Sequence, residues 1–257
     1  MIHSEAPLFP NGAAVVIGGS GGIGREICLR LAQNGTDVAL SYGANQAAAA
    51  EVVRAIEEAG RQATAQALRL EDADNVAAFL EAAGERFGRI HTIVCASGAD
   101  ISMVYVSQVD GAEWKRTIDR DLNGFFHVVQ AGLPHLRRGG GSFVAMTSAA
   151  VARHAPKDIL SIAPKAGIEA LVRAVAREEG RFGIRANSIA LGVIDTGLFH
   201  RLEARVDARF VEAMKRNAAL QRFGSAREAA DAAVFLASSA AGFITGTSLA
   251  VDGGFSI

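Results

Sequence analysis

Cysteine, aromatic side chains and long apolar runs are all scarce in this chain. Of its 257 residues only Cys28 and Cys95 are cysteines, too few for the disulfide framework of a small secreted protein. We expect both thiols to lie buried, as small apolar groups in a reducing compartment. The longest weakly polar run, residues 233–251, is interrupted by Ser, Thr and Gly, which makes it a poor membrane span.

A strong charge of either sign is missing as well. The 26 Lys and Arg residues nearly balance the 27 Asp and Glu residues, and the formal net charge is -1. This balance does not suggest a nucleic-acid or membrane partner and favours a small-molecule substrate. The six histidines are scattered, without the spacing of a metal site. Because the first twelve residues lack a basic start followed by an apolar run, we expect a cytoplasmic protein.

The chain does contain an alternation of short β-branched runs with longer segments of helical periodicity. That alternation predicts an α/β protein with a parallel sheet covered by helices on both faces. The predicted strands are 14–17, 37–41, 64–68, 92–96, 142–147, 185–190 and 248–251. The predicted helices are 22–34, 46–59, 72–87, 112–136, 162–182 and 227–238. Seven strands and six helices without a linker predict a single doubly wound, Rossmann-like domain over residues 1–257.

An amphipathic insertion, residues 196–223, separates the sixth strand from the last helix. In an open α/β sheet, ligands bind beyond the carboxyl ends of the strands, where this insertion emerges. We interpret it as a substrate lid. A packed surface helix is the alternative, because its arginines and glutamates also suit a solvated face.

The stretch AAVVIGGSGGIGREICLRLA, residues 13–32, joins an apolar strand to a helix through a glycine-rich turn. Gly18, Gly22 and Gly24 allow a sharp turn and a close approach of the backbone to a phosphate, with the helix N-terminus aimed at the charge. A strand before the glycines and a helix after them predict a dinucleotide-binding loop.

The spacing Gly18-x-x-x-Gly22-x-Gly24 resembles that of the short-chain dehydrogenase/reductase family, and so does the ending FITGTSLAVDGGFSI. The resemblance covers nearly the whole chain and implies a single-domain NAD(P)(H)-dependent oxidoreductase. It also implies a homo-oligomer, a dimer or a tetramer, and two long apolar helices whose second faces would otherwise be exposed agree with this. The resemblance assigns five loop residues to the cofactor: Gly18, Ser20, Gly22, Ile23 and Gly24.

The end of the second strand distinguishes NAD from NADP, because a carboxylate there binds the ribose 2′-hydroxyl and repels a 2′-phosphate. Here the strand ends in SYGAN, residues 41–45, which contains no acid. Ser41 is the predicted cofactor contact at this point, and Arg25 would attract a phosphate. We therefore favour NADP(H) over NAD(H).

The family's catalytic residues map onto this chain with two replacements. The resemblance places the catalytic serine on Ser148 and the lysine on Lys165, but the tyrosine falls on Ser161 and the asparagine on Asp121. In ordinary members the tyrosine exchanges a proton with the substrate, while the lysine lowers the pKa of that tyrosine and holds the ribose. In the sequence GVIDT, the resemblance implies that two further residues contact the nicotinamide carboxamide: Ile194 and Thr196.

Other departures surround these positions. Arg69 stands where the family has an aspartate near adenine, and residues 95–98 read Cys-Ala-Ser-Gly in place of Asn-Asn-Ala-Gly. Adenine binding is therefore expected to differ. Asp121 could keep the asparagine's backbone role, and it would place a carboxylate where buried Lys165 can pair with it and remain charged.

Ser161 is the most consequential departure. A serine alkoxide is far less accessible near neutral pH than a phenolate of reference pKa ~10, and the serine side chain is too short to reach the position of the phenol oxygen. Lys165 would still share a helix face with Ser161. Because proline is best tolerated in a first turn, Pro164 predicts that the helix begins near Ser161, which would then be its N-cap.

Three functions remain open on the sequence. In the first, the protein reduces a conjugated carbon–carbon double bond of an enoyl thioester, and Ser148 and Ser161 stabilise the enolate oxygen. Dienoyl-CoA reductases, a branch of the same family, similarly carry serine at this position. In the second, the protein acts on a carbonyl or an alcohol, and Tyr105, His154 or water supplies the proton. In the third, catalysis is lost and the fold binds a nucleotide or a partner.

Overall fold

A computed structural model describes residues 7–257, and residues 1–6 at the start of the N-terminal stretch lie outside the described part. Seven parallel strands form one sheet in the order β3-β2-β1-β4-β5-β6-β7. The strands are β1 Ala13–Ile17, β2 Asp37–Tyr42, β3 Ala63–Ala67, β4 Ile90–Cys95, β5 Gly141–Ser148, β6 Ile184–Leu191 and β7 Ser248–Val251. The strand order reverses between β1 and β4, so the predicted doubly wound fold is confirmed.

Within residues 7–257, nine α-helices connect the strands. They are α1 Gly22–Gln33, α2 Gln46–Glu58, α3 Ala73–Phe87, α4 Gly111–Thr117, α5 Gly124–Leu136, α6 Ile159–Glu179, α7 Leu198–Glu203, α8 Ala208–Asn217 and α9 Ala226–Ala237. Polar side chains explain where five of them begin, because each accepts the backbone N–H three residues further on. These caps are Asn45, Asp72, Asp110, Asp207 and Ser225.

The apolar core lies on both faces of the sheet. Successive side chains of β1 alternate between the faces, and Ala13–Ile17 is at most 1% exposed, as expected for a parallel strand covered on both sides. One cluster packs β1 against α3, α5 and α6, and the other packs it against α1, α2 and α9. Cys28 and Cys95 are buried in these clusters, as predicted, and burial raises the pKa of the Cys95 thiol to about 12. Neither thiol is poised for reaction.

Two predicted helices differ from the observed ones. The segment Ile118–Asn123 winds as a π-helix and divides the predicted helix 112–136 into α4 and α5. The helix that carries Ser161 begins earlier than predicted, at Ile159, and its N-cap is Asp158. The prediction that Ser161 is the N-cap is therefore wrong. Pro164 is accommodated in the second turn, where it removes only one backbone hydrogen bond.

The described residues contain no helix that is both long and apolar enough to cross a membrane. Within the same part of the chain, no three His, Cys, Asp or Glu side chains gather as a metal site would require.

Candidate active site

The loop after β1 depends on its glycines, because each permits a close approach that a Cβ would block. Gly18 has φ +80°, and a Cβ there would lie 3.0 Å from the backbone nitrogen of Ser97. A Cβ on Gly22 would collide with the side chain of Thr196, and one on Gly24 would collide with the carbonyl oxygen of Gly18. The loop is therefore packed tightly against the loops after β4 and β6.

The N-terminus of α1 presents unpaired donors. The first backbone bond of this helix runs from the Arg25 N–H to the Gly21 carbonyl, and no side chain caps the helix. The N–H groups of Gly22, Ile23 and Gly24 consequently have no acceptor among residues 7–257. Three adjacent N–H groups at the positive end of a helix fit the pyrophosphate of a dinucleotide. Ser20, also predicted to contact the cofactor, lies half-buried in the preceding turn.

Ser41, the predicted cofactor contact at the end of β2, hydrogen-bonds within the chain. Ser41 is only 2% exposed, and its hydroxyl accepts the Gly18 N–H at 3.0 Å, so this side chain braces the phosphate loop. Residues 42–45 include no carboxylate, and Arg25 is exposed near the start of α1. Arg69 is exposed too, and its guanidinium pairs at 2.9 Å with Asp72 of its own turn.

Lys165 lies at the centre of the candidate catalytic groups. Its Nζ is 3.3 Å from Asp121 Oδ2 and 3.4 Å from the carbonyl oxygen of Ser97. The π-helical segment carries Asp121 to this position, and π-turns are frequent at functional sites. The ion pair considered from the sequence is therefore present, with the Asp121 side chain 4% exposed.

Asp121 is only partly satisfied by this pair. Its Oδ1 is buried and accepts no hydrogen bond from any residue that the structure describes. Asp121, Lys165 and Ser97 line a cavity of ≈ 10 Å³, which is at the lower limit for one water molecule. The cavity is lined mostly by apolar side chains, and its polar groups come from these three residues.

The two candidate serines lie on the segments that follow the carboxyl edge of the sheet, β5 and the first turn of α6. Ser148 is the last residue of β5, and its Oγ accepts the Ala150 N–H at 3.2 Å. That contact leaves the Ser148 O–H available as a donor. Ser161 lies in the first turn of α6, half-buried, and its hydroxyl makes no hydrogen bond within residues 7–257. Both hydroxyls can therefore serve a substrate oxygen.

The alternative proton donors are less well placed. Tyr105 is 56% exposed, and the Nζ of Lys157 lies 4.9 Å from the centre of its ring. His154 is exposed in the loop after β5. Neither side chain hydrogen-bonds to the residues of the candidate site within the described chain.

Sequence reasoning missed Asp158, the N-cap of α6. Its carboxyl is half-buried but does not cap the helix, and burial raises its pKa from 3.8 to about 7. The available signal was its spacing, three residues before Ser161 and seven before Lys165, which places all three on one helix face.

The insertion after β6 lies over these loops. It leaves and rejoins the fold at one point, where Ile194 forms a parallel bridge with Gly224. Ile194 is 7% exposed, whereas Thr196 is half-buried against the phosphate loop. Further along, the guanidinium of Arg205 contacts both carboxylate oxygens of Asp100, after β4, at 3.2 and 3.0 Å.

Comparison with known proteins supports one family. Residues 18–256 match the model of a family described as Enoyl-(Acyl carrier protein) reductase. The 3-oxoacyl-(acyl-carrier-protein) reductase of Staphylococcus aureus is 32% identical over 243 residues, which cover 94% of this chain and 97% of the relative. The cis-4-hydroxycyclohexanecarboxylate dehydrogenase of Sinomonas cyclohexanicum is 34% identical over 248 residues, or 96% of this chain and 97% of the relative.

A solved structure gives the same result. The short-chain dehydrogenase/reductase from Serratia marcescens superposes with a TM-score of 0.89 at 29% identity, covering 98% of this chain and 100% of that one. The glycine cradle, the sheet order and these matches over nearly the full length together show that the chain belongs to the short-chain dehydrogenase/reductase family of oxidoreductases.

Proposed function

We propose that this protein is an NADP(H)-dependent oxidoreductase that interconverts a carbonyl and an alcohol. The observation that carries the proposal is the meeting of the α1 donor cradle, Ser148 and Lys165 at one edge of the sheet. The names of the two relatives, a 3-oxoacyl reductase and a hydroxycyclohexanecarboxylate dehydrogenase, both denote chemistry at a carbon–oxygen bond.

The geometry supports the cofactor-binding residues that the family resemblance implies. The N–H groups of Gly22, Ile23 and Gly24 would bind the pyrophosphate, and Lys165 would bind the nicotinamide ribose. Ile194 and Thr196 would contact the carboxamide. When bound, the cofactor supplies or accepts the hydride. The end of β2 lacks a carboxylate that would repel a 2′-phosphate, which supports NADP(H) over NAD(H).

Ser148 orients the substrate. Because its Oγ already accepts the Ala150 N–H, its hydroxyl proton points to a different acceptor, which we assign as the substrate oxygen. A fixed donor aimed at an oxygen that gains negative charge stabilises the transition state more than the ground state. Asp121 holds Lys165 through the buried ion pair.

Reduction of a conjugated double bond is the second candidate. It is favoured by Ser161, a hydroxyl where the family has a phenol, and by the enoyl reductase description of the matching family model. In that reaction the charge develops on an enolate oxygen, which Ser148 and Ser161 could stabilise without complete proton transfer. The third candidate, a protein that binds a nucleotide or a partner without catalysis, is supported by the replacements at Asp121 and Ser161.

Two measurements separate these functions. Calorimetric titration with NADPH and NADH should give micromolar binding, tighter for NADPH. NADPH absorbance should then fall with an acetoacetyl thioester or 4-oxocyclohexanecarboxylate, but not with a crotonyl thioester. Faster turnover of the crotonyl thioester would favour double-bond reduction. Cofactor binding without turnover of any of the three compounds would favour the non-catalytic function, and absence of cofactor binding would contradict the proposal.

We also propose that residues 196–223 form a lid over the substrate within the single domain. The contacts of Thr196 with Gly22 and of Arg205 with Asp100 support this role. Phe199, 7% exposed and 4.5 Å from Phe223 between ring centres, anchors the insertion through its own small core. Hydrogen exchange that slows in residues 196–223 on addition of NADPH and substrate is the expected result, and unchanged exchange would favour a packed surface helix.

A homo-oligomer, a dimer or a tetramer, is our proposal for the assembly. The edge strand β7 exposes Leu249, and Phe243 and Ile257 beside it are almost fully exposed. Phe126 is 45% exposed on α5. Such apolar positions favour burial against another copy. Sedimentation analysis at micromolar concentration should give more than one protomer per particle.

A further inference from the structure

Asp158, Ser161 and Lys165 form a row along one face of α6. Asp158 is the N-cap, Ser161 follows three residues later, and Lys165 lies one turn beyond. Residues three and four apart are neighbours on a helix. Because the Lys165 side chain extends to Ser97 after β4, this face of α6 borders the crevice at the carboxyl edge of the sheet.

The carboxyl of Asp158 has no structural role that the contacts reveal. Three other aspartate N-caps, Asp72, Asp110 and Asp207, each accept a backbone N–H from their own helix. The Asp158 carboxyl makes no such bond, and within residues 7–257 it forms neither a hydrogen bond nor an ion pair. A half-buried carboxyl without a partner costs stability, so its position suggests a functional use.

The backbone before Asp158 is strained. Lys157 has φ +71°, a conformation that costs a non-glycine residue energy and that concentrates at functional sites. Its Nζ lies 4.9 Å from the centre of the Tyr105 ring, which ties the loop after β5 to the loop after β4. The strained residue therefore holds Asp158 at the border of the crevice.

We propose that Asp158 is the terminal proton donor and acceptor of this enzyme, connected to the substrate oxygen through the Ser161 hydroxyl. The proposal rests on the carbonyl–alcohol function proposed above. Cβ atoms of residues three apart on a helix are ~5–6 Å apart, so a rotation of either side chain brings the carboxyl and the hydroxyl within hydrogen-bond distance. Because serine is shorter than tyrosine, this route requires the substrate oxygen to lie closer to α6 than it would beside a phenol, and Asp158 supplies the acidity that the serine hydroxyl lacks.

The proton transfers balance in both directions. In reduction, a hydride adds to the carbonyl carbon, and the π-electron pair of the C=O bond moves onto the oxygen. With that pair the oxygen forms a new O–H bond to the proton of the Ser161 hydroxyl. Ser161 regains a proton from the Asp158 carboxylic acid, and the resulting carboxylate is reprotonated by water. In oxidation the alcohol proton passes through Ser161 to the Asp158 carboxylate as the hydride leaves.

The acidity of Asp158 matches this role. A carboxyl of ordinary pKa would be ionised near neutral pH and could not donate, but burial raises the pKa of Asp158 to about 7. Both protonation states are then populated at the working pH, which is where proton transfer is most efficient. Other titratable or charged groups on the surrounding elements are His154, Lys157, Tyr105, Lys165 and Asp121.

The test compares five variants with the wild-type protein, using the acetoacetyl thioester or 4-oxocyclohexanecarboxylate, whichever is turned over faster. Asp158→Asn and Ser161→Ala should each lower kcat by about 100-fold or more, with NADPH affinity unchanged. The wild-type reduction rate should fall as pH rises through about 7, and Asp158→Asn should lose that dependence. Asp110→Asn changes the N-cap of α4, which has no part in the proposed relay, and should leave both rate and profile unchanged.

The fourth variant supplies the family's phenol. Ser161→Tyr should retain activity, and adding Asp158→Asn to it should cost less than about threefold, because the tyrosine then exchanges the proton. A readout without catalysis comes from ¹³C NMR of labelled aspartate in the protein alone. One carboxyl should titrate near pH 7, and its signal should be absent from Asp158→Asn.

The outcomes distinguish the two proposals. Wild-type turnover with an unchanged rate and pH profile in Asp158→Asn overturns the role of Asp158 and leaves the proposed function standing. Absence of wild-type turnover overturns the proposed function, and the role of Asp158 with it. A spectrum in which no aspartate carboxyl titrates near pH 7 contradicts the role of Asp158 and leaves the proposed function standing.

Discussion

The phosphate loop and the catalytic face of α6 meet at the same edge of the sheet, but they depart from the family to different degrees. The loop after β1 keeps all three glycines, each of which fits against a neighbouring residue. On the proposed catalytic face, the family resemblance matches Ser148 and Lys165 but aligns Ser161 with the family's tyrosine and Asp121 with its asparagine. The resemblance is therefore complete at the loop and partial at the proposed catalytic face.

The difference follows from what each region offers its ligand. A pyrophosphate is held by backbone N–H groups, and only glycine lets the chain take that path, so few sequences satisfy the requirement. Proton transfer requires a group of suitable pKa within reach of the substrate oxygen, and different side chains can supply it. A binding loop built from backbone is therefore harder to replace than a proton donor built from side chains.

The largest expected effect comes from breaking the ion pair that anchors the catalytic region. Lys165→Ala would leave the Asp121 carboxylate buried without its partner, at a cost of about 3–5 kcal/mol in the free energy of unfolding. NADPH binding and turnover should weaken too, because the ribose loses its donor. Urea denaturation and calorimetry measure the two effects.

Two matched variants separate the effect of an unpaired buried charge from damage to the fold at this position. Asp121→Asn should fold normally, and the double variant Lys165→Ala/Asp121→Asn should recover most of the lost stability. Unfolding of Asp121→Asn would count against a location in the catalytic site, and wild-type turnover by Lys165→Ala would remove this lysine from the mechanism.

The second effect tests whether the catalytic face carries a destabilising carboxyl. Because its native pKa is raised, Asp158 binds more protons in the folded state than in the unfolded state between pH 3.8 and about 7. The folded state therefore loses stability relative to the unfolded state as pH rises through that range. Asp158→Asn should be more stable than wild type at pH 8, by at most about 4 kcal/mol. The gain should nearly vanish at pH 4, and an equal gain at both values would contradict the raised pKa.

The third effect tests whether the loop after β1 requires glycine in order to bind the cofactor. Gly24→Ala places a methyl group against the Gly18 carbonyl and should displace the α1 donors from the pyrophosphate. NADPH affinity should fall by about 100-fold, or about 2.7 kcal/mol. Gly180→Ala is the control, since Gly180 has helical backbone angles and an added Cβ would meet nothing within 4 Å. Equal affinities for the two variants would show that the loop tolerates a side chain.

The smallest effect concerns the contact between the insertion and the loop after β4. Arg205→Ala removes an exposed pair with Asp100, and exposed pairs contribute about 0.2–1 kcal/mol. KM for the substrate should rise by less than about fivefold, with the melting temperature unchanged. Arg227→Ala, which removes an exposed pair with Asp231 within α9, should leave KM unchanged. A lower melting temperature without a change in KM would favour a packed surface helix over a lid.

Much of the fold could be predicted because its signals are local. Strand β7 was predicted with its observed bounds, and the start of α1 was placed correctly at Gly22, since an apolar run and a glycine turn stand next to each other in the chain. The start of α6 was misplaced, because Pro164 was expected in the first turn and the helix accepts it in the second. The π-helical segment that carries Asp121 has no local signal, since it depends on how α4 and α5 pack.

The sequence by itself determined the doubly wound sheet and the glycine loop, because periodicity and spacing are properties of neighbouring residues, and its family resemblance supplied the hypothesis that Ser161 stands where the family has tyrosine. Only the tertiary structure decided that Ser41 braces the loop and that Asp121 pairs with Lys165. It alone showed that Asp158 is half-buried and makes no hydrogen bond or ion pair through its carboxyl within residues 7–257. Each of these depends on which groups from distant segments are brought together away from water, and burial, more than residue type, sets whether a carboxyl is an ionised cap or a proton donor at neutral pH.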